Sequence, residues 1–334
     1  MQGGARCEVR DVLTCTSQRR ASAPTPQMGL FQQPANRWWI YQRERFPIFA
    51  HGPLIAALSF SAVCVSSFLR GHPHLPDAGP FLVAFVTVFL FFLQLRIADE
   101  FKDRETDARH RPYRPVPRGL VTLSELGGAA MAGMLIQLGL ALWLHPSLVP
   151  LLGAIWLYLG LMFKEFFARD WLTAHPLAYL SSHMVSLPLI TLYATACEWS
   201  PAGASPPAGL IWFLAASFFN GVVIEIGRKI RAPEEEEPGV DTYTALWGRR
   251  TAVLTWLGAM LLAAWGALLV ADQTGVVAPV ATLCGVLSAT AIIAAWLFLA
   301  QPVTRRAKLF EPLSGLWTFA VHLGLGLSPW LLRA

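Results

Sequence analysis

Residues 99–107 read DEFKDRETD, five acids in nine residues just after the apolar run FLVAFVTVFLFFLQ. On a helix of about 3.6 residues per turn, Asp99, Glu100, Asp103 and Asp107 fall within roughly a 100° arc, and Arg96 shares that face one turn earlier. Like charges this close repel and raise one another's pKa values unless something positive answers them. Two answers fit. One is a solvated helix end, with Lys102, Arg104 and the arginines downstream as counter-charges. The other is a divalent cation. Oxygen-only ligands suit Mg²⁺, which takes one or two carboxylates, keeps some water and bridges to a substrate phosphate. Arg96, Arg109, Arg111, Arg114 and Arg118 would then hold phosphate oxygens. Ionisable groups at membrane depth are costly and are functional candidates by default, which favours the cation. The expected metal ligands are Asp99, Glu100, Asp103 and Asp107, the last three being catalytic as well.

A second charged group stands in NGVVIEIGRKIRAPEEEEPGVDTYTALWGRR, residues 220–250. Glu225, Arg228 and Lys229 share a helix face. A lysine cannot bind Mg²⁺, but it neutralises a phosphate oxygen as a point charge. Glu225 is expected to be catalytic, with Arg228 and Lys229 binding substrate. Glu234 to Glu237, between Pro233 and Pro238, read as a mobile, solvated acidic loop, and only secondarily as a source of ligands. Lys164, another expected phosphate contact, ends an apolar run together with Glu165, Arg169 and Asp170. Tyr179, Ser181, Ser182 and His183 sit inside the next run, where such groups either bridge helices or touch an acceptor. Asn220 reads as packing. His72 and His74 read as exposed loop residues.

The elements that carry these groups follow from composition. The chain has 334 residues, 54% hydrophobic and 14% charged, against about a quarter charged in soluble domains. About nine apolar stretches are long enough to cross a bilayer as helices, near 52–70, 80–98, 123–144, 147–164, 174–195, 208–227, 251–271, 277–300 and 313–332. The runs are continuous rather than alternating, which argues against a β-barrel. The expected fold is all-α, a polytopic bundle of about nine transmembrane helices.

Lysine and arginine cluster before the first stretch and after the second, fourth, sixth and eighth, with Arg70 the main exception. The positive-inside rule then puts the N-terminus and both charged motifs on the cytoplasmic side, expected to be that of the plasma membrane, and the C-terminus with Arg333 on the other. The net charge of +5 is thereby a loop feature and no sign of nucleic-acid binding. Five scattered cysteines make neither a disulfide framework nor a metal site. Residues 1–37 lack an apolar signal core and read as a disordered tail, with Met28 an alternative start. RWWIYQRERFPI, residues 37–48, suits a short helix at headgroup level. Residues 38–334 form one expected transmembrane domain.

DEFKDRETD followed by RPYRPVPRGL (111–120) resembles the first signature of the UbiA superfamily of intramembrane prenyltransferases, N-D-x-x-D-x-x-x-D and then an arginine–proline segment. Asp99 stands where the family usually has Asn and Glu100 where it has the first Asp, while Asp103 and Asp107 match. GVDTYTALWG is similar to the family's run into its seventh helix, but Glu225 and Lys229 stand where two spaced aspartates are expected. The resemblance implies nine helices, Mg²⁺, and transfer of an isoprenoid group from its diphosphate to an aromatic or other lipophilic acceptor. With one acidic motif altered, one metal plus a cationic clamp is a coherent substitute for two metals. The rivals are a superfamily member using another phosphorylated donor or cyclising a terpene, a non-catalytic scaffold, and a transporter. A transporter is expected to show matching broken spans in two halves, and no clear repeat is seen.

Overall fold

The computed structural model of this chain describes residues 34–72, 75–237 and 239–332, and among them the regular structure is helical with no strand. The chain opens with α1 (Pro34–Arg45) and α2 (Ile48–Leu69), then α3 (Ala78–Lys102), the short α4 (Arg104–His110) and α5 (Leu123–Leu144). Next come α6 (Val149–Phe163), α7 (Arg169–Ala174), α8 (Pro176–Met184), α9 (Ser186–Trp199) and α10 (Leu210–Gly227). The last elements are α11 (Tyr243–Trp247), α12 (Arg249–Thr274), α13 (Val277–Ala300), α14 (Thr304–Ala307) and α15 (Phe310–Leu331).

Among the described residues, eight helical segments are long and apolar enough to cross a membrane: α2, α3, α5, Pro146–Phe163, the α8–α9 pair, α10, α12 and α13. The ninth expected span is α15, which carries Ser314, Thr318 and His322, all buried. The long helices pack as a closed circuit, α2 on α3, α3 on α5, and on through α6, α9, α10, α12 and α13 to α15, which returns to α2. α9 also crosses to α2 and α3, filling the middle.

Apolar side chains gain little by meeting each other in lipid, so close approach and internal polar bonds hold the helices together. A Cβ on Gly266 of α12 would stand 2.9 Å from the Trp212 carbonyl of α10. The buried Gln137 of α5 accepts from Gln94 and Trp156, each at 3.0 Å, and donates to the Thr87 carbonyl at 3.0 Å, joining α3, α5 and α6. Asn220 accepts from Trp317 at 3.0 Å and contacts His322 at 3.4 Å, a bridge from α10 to α15 that accords with its packing role. Arg70 pairs with Glu198 at 2.7 Å. Cys64, Cys197 and Cys284 are buried and free.

Four expectations change. The acid stripe is not on one helix: backbone bonding continues from Asp103 to Asp107, but the helix breaks at Asp103, which ends α3 and starts α4. The fifth span is two helices meeting at Val185. α1 is docked on protein, with Tyr41 packed among Ile97, Val121 and Leu126. The acidic loop is tied down residue by residue, as set out below. The tail up to residue 33, Met28, His74, Pro238 and Arg333 lie outside the described residues.

Candidate active site

The first acidic group forms where α3 runs out of apolar sequence. Asp99 is half exposed and takes a long contact from Arg96 at 3.5 Å. Asp103 opens to solvent at the junction of α3 and α4. Loss of hydration on its protein side, then the fields of Asp99 and Asp107, holds its carboxyl above the ordinary aspartate range. Asp107 is buried and accepts from Arg114 at 2.5 Å, with Arg111 at 3.8 Å. Its Oδ1 is buried without a hydrogen-bond partner. Glu100 leaves the stripe: its side chain is 1% exposed and its carboxylate accepts from Nε of Arg45, on α1.

The second group holds the expected helical face. Glu225 accepts from Arg228 Nε at 2.6 Å and pairs with Lys229 at 2.9 Å. Lys229 also lies 5.4 Å from the centre of the Tyr243 ring. Burial, then the field of Glu225, raises the Tyr243 phenol far above its usual value, so it stays neutral. Gly227 places this turn: a Cβ there would stand 2.0 Å from Ser314 Oγ, so only glycine lets the end of α10 sit against α15.

The two groups face one another. Asp99 and Arg96 each lie within electrostatic range of Arg228, as do Glu225 of His183 and Tyr179 of Tyr243. Between them stands a knot that joins four residues the sequence analysis named only separately. Lys102 pairs with Glu165 at 2.9 Å and reaches Tyr179 Oη at 3.3 Å and His183 Nε2 at 3.4 Å. His183 Nδ1 donates to the Tyr179 carbonyl at 2.8 Å, which leaves Nε2 as the acceptor. Three consecutive left-handed residues, Glu165, Phe166 and Phe167 (φ 49°, 53° and 57°), turn Glu165 inward. Non-glycine residues pay for that conformation, and it recurs at functional sites. A lysine in the last turn of an apolar helix was the signal available for Lys102.

The remaining expected residues spread out. Arg109 is exposed. Arg118 pairs with Glu44 at 2.9 Å, tying its loop to α1. Lys164 is exposed over the Phe163 ring at 5.4 Å, while its neighbour Glu165 points inward. Glu234 accepts from Thr304 at 3.0 Å, Glu235 faces Lys308 at 3.6 Å, Glu236 accepts from Thr242 and Thr244 at 2.6 Å each, and Glu237 faces Arg111 at 3.6 Å. The acidic run is therefore a strap from α14 to the first motif. An apolar groove of about 440 Å³ lies beside the acids, between the Trp38–Phe46 segment and Phe89, Leu93 and Ile97 of α3.

Among the described residues no three His, Cys, Asp or Glu side chains converge as a finished metal cage. The donor set still fits Mg²⁺, which needs few protein ligands: Asp99 and Asp103 offer open oxygens, and Oδ1 of Asp107 accepts no hydrogen bond, with Arg111 3.8 Å away.

Residues 58–321 match the UbiA prenyltransferase family. No curated relative matches the sequence. A solved structure of a digeranylgeranylglyceryl phosphate synthase superposes with a TM-score of 0.59 at 16% identity, covering 89% of this chain and 99% of that one. That of a UbiA homologue from Aeropyrum pernix K1 gives a TM-score of 0.62 at 17% identity, covering 82% and 96%.

Proposed function

Because this chain belongs to the UbiA prenyltransferase family, we propose that it moves an isoprenoid group from its diphosphate to a lipophilic acceptor within the membrane. The observation that carries this reading is the meeting of two charged groups at one end of an apolar bundle. Carboxylates of Asp99, Asp103 and Asp107 stand on one side, and Arg228 with Lys229 on the other. Residues 38–334 act as one unit, with the charged end on the cytoplasmic side of the plasma membrane, as the loop arginines support.

Mg²⁺ would take its one or two protein ligands from Asp99, Asp103 and Asp107, and when bound would supply Lewis-acid stabilisation of a leaving diphosphate. Arg96, Arg111, Arg114, Arg228 and Lys229 add positive charge for the diphosphate oxygens as the allylic C–O bond breaks. Lys229, closed on Glu225, stands where the family has the second of two spaced aspartates, so its charge would join that of a single metal in answering the leaving diphosphate. The apolar walls exclude water from the allylic cation, which would otherwise be quenched. The acceptor's nucleophilic atom then takes the allylic carbon and gives up a proton.

The test is binding of radiolabelled geranylgeranyl diphosphate to the full-length protein in detergent. Binding is expected with Mg²⁺, not with EDTA, and is expected to disappear in Asp103→Ala. Equal binding with and without Mg²⁺ counts against the reading.

A further inference from the structure

We propose that Arg45, on the N-terminal helix and outside the matched family segment, binds the donor diphosphate, and that Glu100 is its buried counter-ion rather than a metal ligand. This rests on the functional reading above. Residues 37, 41 and 45 repeat every four positions and so share one face of α1. That face is fixed against α3 and α5: Arg37 pairs with Glu125 at 2.6 Å, Tyr41 packs on Ile97 and Leu126, and Arg45 meets Glu100.

Arg45 is 8% exposed, and the contact with Glu100 uses only its Nε. Its Nη2 is buried with no hydrogen-bond partner. A guanidinium cannot shed its proton to escape that cost, so the spare donor calls for an acceptor. The surroundings call for a negative one. Arg45 and Arg228 both lie within electrostatic range of Arg96, whose own bond to Asp99 is long at 3.5 Å. Arg96 on α3 thus feels guanidiniums from both α1 and the end of α10, while Glu225 is already shared by Arg228 and Lys229. A diphosphate brings several anionic oxygens and matches the planar fork of arginine. Glu100 in turn has no exposed oxygen to offer a cation: its side chain is 1% exposed and its charge is answered by Arg45. In this chain the acid at position 100 holds an arginine in place.

The experiment is calorimetric titration of magnesium pyrophosphate into the full-length protein in detergent, comparing wild type, E100Q, R45K and the neutral pair R45M/E100Q, with thermal melts on each. R45M alone would strand a buried carboxylate, whereas the pair removes both charges together. The pair is expected to melt cooperatively and to bind pyrophosphate about tenfold to a hundredfold more weakly, as the loss of one charge-assisted hydrogen bond implies. R45K, which keeps the charge but loses the fork, is expected to bind more weakly than wild type, and E100Q at least as tightly as wild type. Wild-type affinity in R45K or in a folded R45M/E100Q overturns the proposal, as does loss of Mg²⁺-dependent binding in E100Q. No binding by the wild type brings down the functional reading itself, and this inference with it.

Discussion

Lys229 follows Glu225 by one helical turn and closes on it at 2.9 Å, its ammonium lying 5.4 Å from the centre of the Tyr243 ring. A lysine held on both sides has a fixed place for its charge. If that charge serves the leaving diphosphate, Lys229→Ala lowers kcat/KM for the prenyl diphosphate by about 10- to 100-fold, the loss of one hydrogen bond to a charged group. Lys229→Asp, which rebuilds a spaced acidic pair, is expected to lose at least as much. Steady-state kinetics at saturating Mg²⁺ reads both.

Asp103 gives a stability test with a definite sign. Its carboxyl titrates above the ordinary value of 3.8, because of lost hydration and the neighbouring Asp99 and Asp107. The folded protein therefore holds that proton more tightly than the unfolded chain. Its stability falls as pH rises from 3.8 through the raised value, and the cost stays in force above it. Without Mg²⁺ at neutral pH, Asp103→Asn should raise the melting temperature. Added Mg²⁺ should stabilise the wild type and leave the variant unmoved.

The Glu225–Lys229 pairing was legible from spacing alone, since groups four apart on a helix meet, whereas the break at Asp103 was not. The long helices were equally legible, because an apolar run of about 20 residues has few other fates. What stayed hidden depends on contacts distant in sequence or on local backbone choices. Arg45 and Glu100 are 55 residues apart, and nothing in RWWIYQRER marks one arginine as buried. The turn through Glu165, Phe166 and Phe167 contains no glycine to announce it. The strap over Glu234–Glu237 looked solvated because its partners, Thr304, Lys308, Thr242, Thr244 and Arg111, come from three other segments.

The Lys102 knot makes a separate prediction. Lys102→Met leaves Glu165 only the exposed Arg169, at 3.7 Å, to answer its charge. The pair is partly solvated, so the cost is about 1–3 kcal/mol rather than that of a fully buried pair. Lys102→Met/Glu165→Gln is expected to recover most of that stability. Denaturation in mild detergent, run as a double-mutant cycle, measures the difference.

Helix approach makes a fourth. A Cβ on Gly266 would meet the Trp212 carbonyl at 2.9 Å and the Ala216 amide at 3.0 Å. Both are backbone atoms and cannot step aside. Gly266→Val is expected to destabilise the α10–α12 contact by about 1–3 kcal/mol and to lower activity by moving Glu225. Gly258, on the same helix with open space at its Cβ, should accept alanine with little change in melting temperature.

The most direct test is pyrophosphate release from geranylgeranyl diphosphate by the protein in liposomes that carry a membrane lipid extract as the source of acceptor, followed with and without Mg²⁺ and repeated with Asp103→Ala and Asp107→Ala. Release that requires Mg²⁺ and falls by at least about a hundredfold in both variants is the expected result. Release that persists in EDTA, or that survives loss of either aspartate, contradicts it.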